Sequence, residues 1–330
     1  MRIQECSYVV LGGGGFLGTN LCHRLAAAGN RVRAFGHRGL FPAALAGADW
    51  QQGDFADRAA VADAIQGADV VFHLISSTVP YSANLDIAGD VRQNLLPSLA
   101  FLELARSAGV KRVVFLSSGG TIYGRPMQIP TEETSPTDPI TAYGISKLAI
   151  EKYLALYQHL FGLDHRILRV ANPFGPFQVS VKGQGLIAEI VSRAINRDRI
   201  EVWGDGSVVR DFIFVDDVVD ALEIAAGDDS DERIFNIGSG TGRSVREVLA
   251  TIEHSLASKL DIAWKVGRAV DVPVSILSVK RARDKLGWTP KTSFECGIAK
   301  TIAWWKDNAD LVKQAMMAQV SKKGVRSHAD

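Results

Sequence analysis

Five short apolar runs punctuate the first half of the chain: Tyr8–Leu11, Arg31–Phe35, Val70–Leu74, Val113–Ser117 and His165–Arg169. Apolar and polar residues do not alternate within them, as expected of strands buried on both faces. Between them lie helix-patterned stretches, Leu17–Ala28, Ala59–Ile65, Leu95–Ala108 and Ala142–Phe161. Strand–helix alternation of this kind predicts an α/β fold with a doubly wound parallel sheet over residues 1–171. Beyond Ala171 the pattern loosens, and Pro173, Pro176, Gly183 and Gly185 mark a long loop. Helical pieces at Leu186–Asn196 and Ser244–Ser255 then mix with short strands at Ile200–Trp203 and Ile234–Ile237. They predict a smaller α/β substrate-binding domain over 172–320, with some segments returning to the first domain. No internal repeat is visible, and the polar stretch 321–330 reads as a disordered tail.

Gly12, Gly15 and Gly18 form GxxGxxG between the first strand and the helix that opens at Leu17, with Phe16 and Leu17 among the expected cofactor contacts. Such a turn lets backbone approach a pyrophosphate, and the helix N-terminus offers free N–H groups and partial positive charge. A tight glycine turn without ligand is the alternative; the strand–turn–helix context favours a dinucleotide site of Rossmann type. Where an acidic residue would hold ribose hydroxyls, the second strand ends in Gly36-His37-Arg38. Arg38 would attract a 2′-phosphate that a carboxylate would repel, so NADP tolerance is expected beside NAD. Alternatively His37 and Arg38 are merely solvated. Asp54, in Gly53-Asp54-Phe55, suits either the adenine amino group or a helix cap.

Tyr143 and Lys147 are four residues apart at the start of a long helix and share one face. A neighbouring ammonium is expected to lower the tyrosine pKa, making it a general base or acid. A solvated lysine beside a packed tyrosine is the alternative. Ser117-Ser118 closes the preceding strand, and ligands of doubly wound sheets bind at the carboxyl ends of strands.

These segments together resemble an extended short-chain dehydrogenase/reductase of the NAD-dependent nucleotide-sugar epimerase/dehydratase group. The resemblance covers nearly the whole chain. It rests on GGGGFLG at Gly12–Gly18, Gly53-Asp54-Phe55, SSGGTIYG at Ser117–Gly124 and Tyr143-Gly-Ile-Ser-Lys147. Asn172-Pro173-Phe174-Gly175-Pro176, GDGSVVRDFIFVDD at Gly204–Asp217 and Asn236-Ile237-Gly238-Ser239-Gly240 complete it. It implies that Tyr143 is the acid/base, and that Lys147 holds the nicotinamide ribose and tunes Tyr143. His73, Leu74, Ile75 and Ser76 would line the cofactor with Phe55 and Ser117, and Asn94 would support it; for His73 a satisfied core histidine is the alternative. Asn172 and Thr121 would touch substrate, and Arg210 and Arg268 would clamp its diphosphate. The implied reaction is 4-epimerisation of a nucleotide sugar: hydride abstraction, a 4-keto intermediate and hydride return. NADPH-dependent reduction of a 4-keto-6-deoxy sugar is the second reading, and a non-catalytic dinucleotide-binding protein the third. The chain departs from the pattern at Gly119, where 4-epimerases carry a catalytic Ser or Thr. Ser118 or Thr121 would then supply the hydroxyl. Gly119-Gly120 also lacks the carboxylates that dehydration needs. The family's four-helix-bundle homodimer would use the helices after Asn94 and Tyr143, with Leu99, Leu102, Ala149 and Tyr153 on the faces.

Composition narrows the picture further. The net charge is +1 over 330 residues, with no basic cluster interleaved with aromatics, which argues against nucleic acid. Cys6, Cys22 and Cys296 match no disulfide framework or metal-ligand spacing. No signal peptide or membrane-length apolar run is evident, so the cytoplasm is the expected location.

Overall fold

The computed structural model describes residues 6–179, 185–266 and 272–320. Six strands of the first half enter one parallel sheet: β1 (Ser7–Leu11), β2 (Arg31–Gly36), β3 (Asp49–Gln52), β4 (Val70–His73), β5 (Arg112–Ser118) and β6 (Asp164–Val170). Three short strands follow, β7 (Asn172–Phe174), β8 (Ile200–Trp203) and β9 (Val209–Phe214), before β10 (Ile234–Ile237) returns to the large sheet beside β6. The order is β10-β6-β5-β4-β1-β2-β3. Winding reverses between β1 and β4, and the crevice beyond their carboxyl ends is where such sheets bind ligands. Val9, Val10, Leu11, Val71, Phe72, Val113 and Phe115 are all at most 1% exposed, so these strands are covered on both faces.

The first-half helices are α1 (Phe16–Ala27), α2 (Arg58–Ile65), the short α3 (Pro80–Leu85) and α4 (Ile87–Asp90), α5 (Leu96–Ser107) and α6 (Ala142–Phe161). Asp57 caps α2 by accepting from the Ala59 and Ala60 amides, and Thr141 caps α6 by accepting from Gly144. The helix α7 (Leu186–Asn196) precedes β8, and α8 (Val215–Gly227) packs beside α1. After β10 come β11 (Gly242–Ser244), α9 (Val245–Leu256), β12 (Ile262–Lys265), β13 (Val274–Ser275), α10 (Phe294–Asp307) and α11 (Ala309–Val320). Strands β11, β9 and β13 form a small sheet that β7 extends, and β12 pairs with β8.

The apolar runs are all strands of the large sheet. Its edge strand β3 reads Asp49-Trp50-Gln51-Gln52 and lacks an apolar run, because an edge strand paired only with β2 is half exposed. The tail 321–330 lies outside the described residues.

Candidate active site

The glycine turn joins β1 to α1. Gly12 has φ +92°, a conformation that favours glycine, and Gly12 N donates to the Phe35 carbonyl at 2.8 Å. A Cβ on Gly14 would lie 1.9 Å from the Arg38 carbonyl, and one on Gly18 2.1 Å from the Gly12 carbonyl. The turn, the end of β2 and the start of α1 are therefore in backbone contact. Gly15 is the N-cap of α1 and gives it no side-chain cap, so the first-turn amides of Phe16 and Leu17 face outward without a side-chain acceptor. A dinucleotide pyrophosphate fits this arrangement.

At the end of β2 the exposed His37 Nε2 lies 3.7 Å from Asp54 Oδ1, and Arg38 is exposed beside it. Asp54 Oδ1 also accepts from the Ala56 amide at 2.9 Å, so it fixes the turn before Asp57, which is the helix cap. Phe55 is buried and tilted against the His73 ring, centroids 5.0 Å apart.

Phe55, Ile75, Ser76, Asp90, Asn94, Tyr143 and Lys147 line one cavity at the ends of β4 and β5. Asn94 is 8% exposed. Its Oδ1 accepts from the Ser77 amide at 2.8 Å, and its Nδ2 donates to Thr78 Oγ1 and Asp90 Oδ1, each at 2.9 Å. It therefore acts on the turn after β4 that carries Leu74, Ile75 and Ser76. Asp90, 1% exposed, also accepts from Ser146 Oγ at 2.5 Å. This buried carboxylate behind the Tyr143–Lys147 face lies in Gly89-Asp90-Val91-Arg92, where no sequence signal marks it.

The Ser76 and Ser118 hydroxyls lie beside the Tyr143 hydroxyl, and Ser76 Oγ donates to the Thr78 carbonyl at 3.0 Å. Burial pushes Tyr143 up to about 12, these hydroxyls oppose the rise, and Asp90 adds to it. The expected lowering by Lys147 is corrected on this point. Lys147 Nζ donates instead to the Leu116 carbonyl at 2.9 Å and lies 5.8 Å from the Tyr143 ring centroid, so desolvation of the phenol dominates. Burial pulls Lys147 down to about 8, against the opposing pull of Glu151 and Asp90.

Gly119 is tightly packed: a Cβ there would lie 3.0 Å from the Arg169 carbonyl and 2.4 Å from Leu277 Cδ1, so the Leu277 side chain would have to move. Of the two candidate replacements, Ser118 lies beside Tyr143. The Thr121 hydroxyl is buried without a hydrogen-bond partner among the described residues. The Ser117 assignment needs correction as well. Its hydroxyl donates to Glu151 inside the protein, because the side chain at that strand position turns into the core.

Asn172 Nδ2 donates to the Asp211 carbonyl at 2.9 Å, joining β7 to β9. Arg210 Nη1 donates to the Val209 and Val272 carbonyls at 2.9 and 2.7 Å. Both belong to the small sheet with β7, and neither lines the cavity that holds Tyr143. Arg268 lies outside the described residues. Leu102 is fully buried in the core and cannot serve a partner face, whereas Tyr153, Leu156 and Leu160 on α6 are 38, 43 and 56% exposed. Among the described residues no helix is long and apolar enough to cross a membrane.

A glycine turn at a topological switch point, with a Tyr–Lys pair on the helix after β5, defines a short-chain dehydrogenase/reductase site. The model of the NAD dependent epimerase/dehydratase family matches residues 8–238, and the chain belongs to that family. It is 36% identical over 242 residues to a UDP-glucose 4-epimerase of Mycolicibacterium smegmatis, covering 73% of this chain and 77% of that one. It is 31% identical over 232 residues to a dTDP-4-dehydro-6-deoxyglucose reductase of Escherichia coli, covering 70 and 73%. The crystal structure of a UDP-glucose 4-epimerase from Thermotoga maritima with UDP-glucose superposes with a TM-score of 0.88 at 31% identity. That match covers 92% of this chain and 99% of the other.

Proposed function

We propose that this chain is an NAD(P)-dependent 4-epimerase of nucleotide-diphosphate sugars. The observation that carries this reading is Tyr143 and Lys147 lining one cavity at the crevice of the sheet, with the Ser76 and Ser118 hydroxyls beside the phenol. The uncapped N-terminus of α1, with Gly12, Gly15, Phe16, Leu17 and Gly18, holds the dinucleotide pyrophosphate. When bound, the nicotinamide supplies the hydride acceptor and, in the return step, the donor. Tyr143 holds the proton exchanged with the sugar C4 oxygen. Ser118, beside that phenol, stands in for the hydroxyl that Gly119 lacks. Lys147 places a positive charge beside the phenol and the cofactor ribose. Thr121 offers its unpartnered hydroxyl to the sugar, and Asn172, Arg210 and Arg268 serve its nucleotide diphosphate.

A 4-keto sugar reductase is the second reading, and one observation favours it. Arg38, beside the side-chain-free Gly36, suits a 2′-phosphate, so NADP is tolerated beside NAD. Two copies pair through the exposed apolar faces of α5 and α6, giving a homodimer in the cytoplasm.

The test is interconversion of UDP-glucose and UDP-galactose, and of the corresponding dTDP sugars, followed by NMR with wild type and Tyr143→Phe. Conversion by wild type, slowed at least about a hundredfold in the variant with the cofactor still bound, is expected. Equal rates would remove Tyr143 from the reaction. Consumption of NADPH with a 4-keto sugar, without interconversion, would establish the reductase.

A further inference from the structure

Tyr143, Lys147 and Glu151 follow at four-residue intervals on the face of α6 that packs on β5 and β6. Glu151 and Arg169 are each 3% exposed. Arg169 Nη2 donates to Glu151 Oε2 at 2.7 Å, and its Nε reaches both carboxylate oxygens at 3.2 Å. Ser117 Oγ, at the end of β5, donates to the same carboxylate. The remaining guanidinium nitrogen, Nη1, donates to Tyr123 Oη at 2.9 Å and to the Glu133 carbonyl at 3.3 Å. Tyr123 Oη in turn donates to Asn236 Oδ1 on β10 at 2.7 Å. One buried ion pair thus joins α6, the end of β5, the segment that carries Ser118 and Thr121, and the edge strand of the sheet.

A buried ion pair is a poor stabiliser. Desolvation offsets much of its attraction, and apolar side chains of similar volume often serve stability as well or better. Its cost is more readily understood where it fixes a geometry. We propose that the Glu151–Arg169 pair is a positioning element of the active site, holding the Tyr143–Lys147 face of α6 in register with the Ser117–Tyr123 segment. Neither residue lines the cavity that holds Tyr143 and Lys147. The inference rests on the Tyr143–Lys147 reading above.

Electrostatics agree with the geometry. The charged and titratable groups around Lys147 are Glu151 on its own helix, Asp90 at the end of α4, His73 on β4 and Tyr143. Arg169 on β6 neutralises Glu151. Glu151 and Asp90 favour the Lys147 ammonium, while burial disfavours it. Loss of the Glu151 charge should therefore move the Lys147 titration to lower pH.

The test replaces both partners with apolar residues of similar length, Glu151→Met with Arg169→Met. The double variant should fold with a melting temperature at or above that of wild type. Its kcat should fall by at least about tenfold with KM within about twofold, as expected when reacting groups lose their alignment. The alkaline limb of its kcat profile should stay close to that of wild type, because the two charges removed offset one another at Lys147. A folded double variant with wild-type kcat would overturn the proposal. If the double variant does not fold, Tyr123→Phe carries the test, because it keeps the ring and removes the hydroxyl that links Arg169 to the loop and to Asn236. A kcat about tenfold lower with the limb in place is then expected, and unchanged kcat would again overturn it. Tyr143→Phe, assayed alongside, separates the two claims. If that variant stays active, the reading of the site fails, whatever the ion pair does.

Discussion

Replacing Gly36 with Asp should convert the cofactor preference of this enzyme toward NAD. Gly36 closes β2 at the crevice. A Cβ built there meets only Trp50 at 3.6 Å and the Gly12 Cα at 4.0 Å, which are ordinary contacts. The variant should therefore fold, unlike one at Gly14, where a Cβ would meet the Arg38 carbonyl at 1.9 Å. An aspartate here places a carboxylate where ribose hydroxyls lie and next to the position of a 2′-phosphate. At about 5 Å and an effective dielectric constant of about 20, repulsion between two unit charges is about 3 kcal/mol. That corresponds to about a hundredfold in the ratio of dissociation constants. Calorimetric titration of the cofactor-free protein with NAD and NADP, wild type against G36D, reads the ratio directly. An unchanged ratio in a folded variant would show that the end of β2 does not face the 2′ position, and would refute the reading of Gly36, His37 and Arg38.

Three further outcomes are expected. Lys147→Met should abolish activity yet stabilise the fold. Burial moves the lysine from 10.5 to about 8, so the charged form carries a cost of about 3 kcal/mol at pH 7 that is relieved as pH rises from 8 towards 10.5. Urea unfolding at pH 7 checks this, and a less stable variant would contradict it. Burial holds His165 down to about 4 from 6.5, so the stability tied to its neutral form is complete above pH 6.5 and lost as pH falls towards 4. His165→Val should therefore lose about 3 kcal/mol less than wild type between pH 7 and 4, read from urea midpoints. Gly18→Ala would push a methyl to 2.1 Å from the Gly12 carbonyl, and should cost about 1–3 kcal/mol and weaken dinucleotide binding.

The sheet was legible because its interior strands are buried on both faces and leave unbroken apolar runs. The edge strand β3, Asp49–Gln52, left none. The glycine turn and the Tyr143–Lys147 spacing were legible because each demands particular residue types at fixed intervals. Where each hydroxyl points was not. Ser117 and Ser118 are adjacent, yet alternation along β5 sends one to Glu151 in the core and the other to Tyr143. Arg169 sits inside the apolar run of β6 with nothing in sequence to pair it with Glu151, 18 residues earlier. The reason for Gly119 was equally hidden, because Leu277 fills the space from far along the chain. The effect of burial on Tyr143 ran against the expectation from its lysine neighbour, since desolvation depends on the whole surrounding fold.

The most direct measurement of the central claim is epimerisation in deuterium oxide, with the C4 hydrogen of the nucleotide sugar followed by NMR. Hydride transfer to and from a bound nicotinamide predicts interconverted sugars that keep their original C4 hydrogen. Incorporation of solvent deuterium at C4, or cofactor-bound protein that turns over neither UDP nor dTDP sugars, would contradict the account.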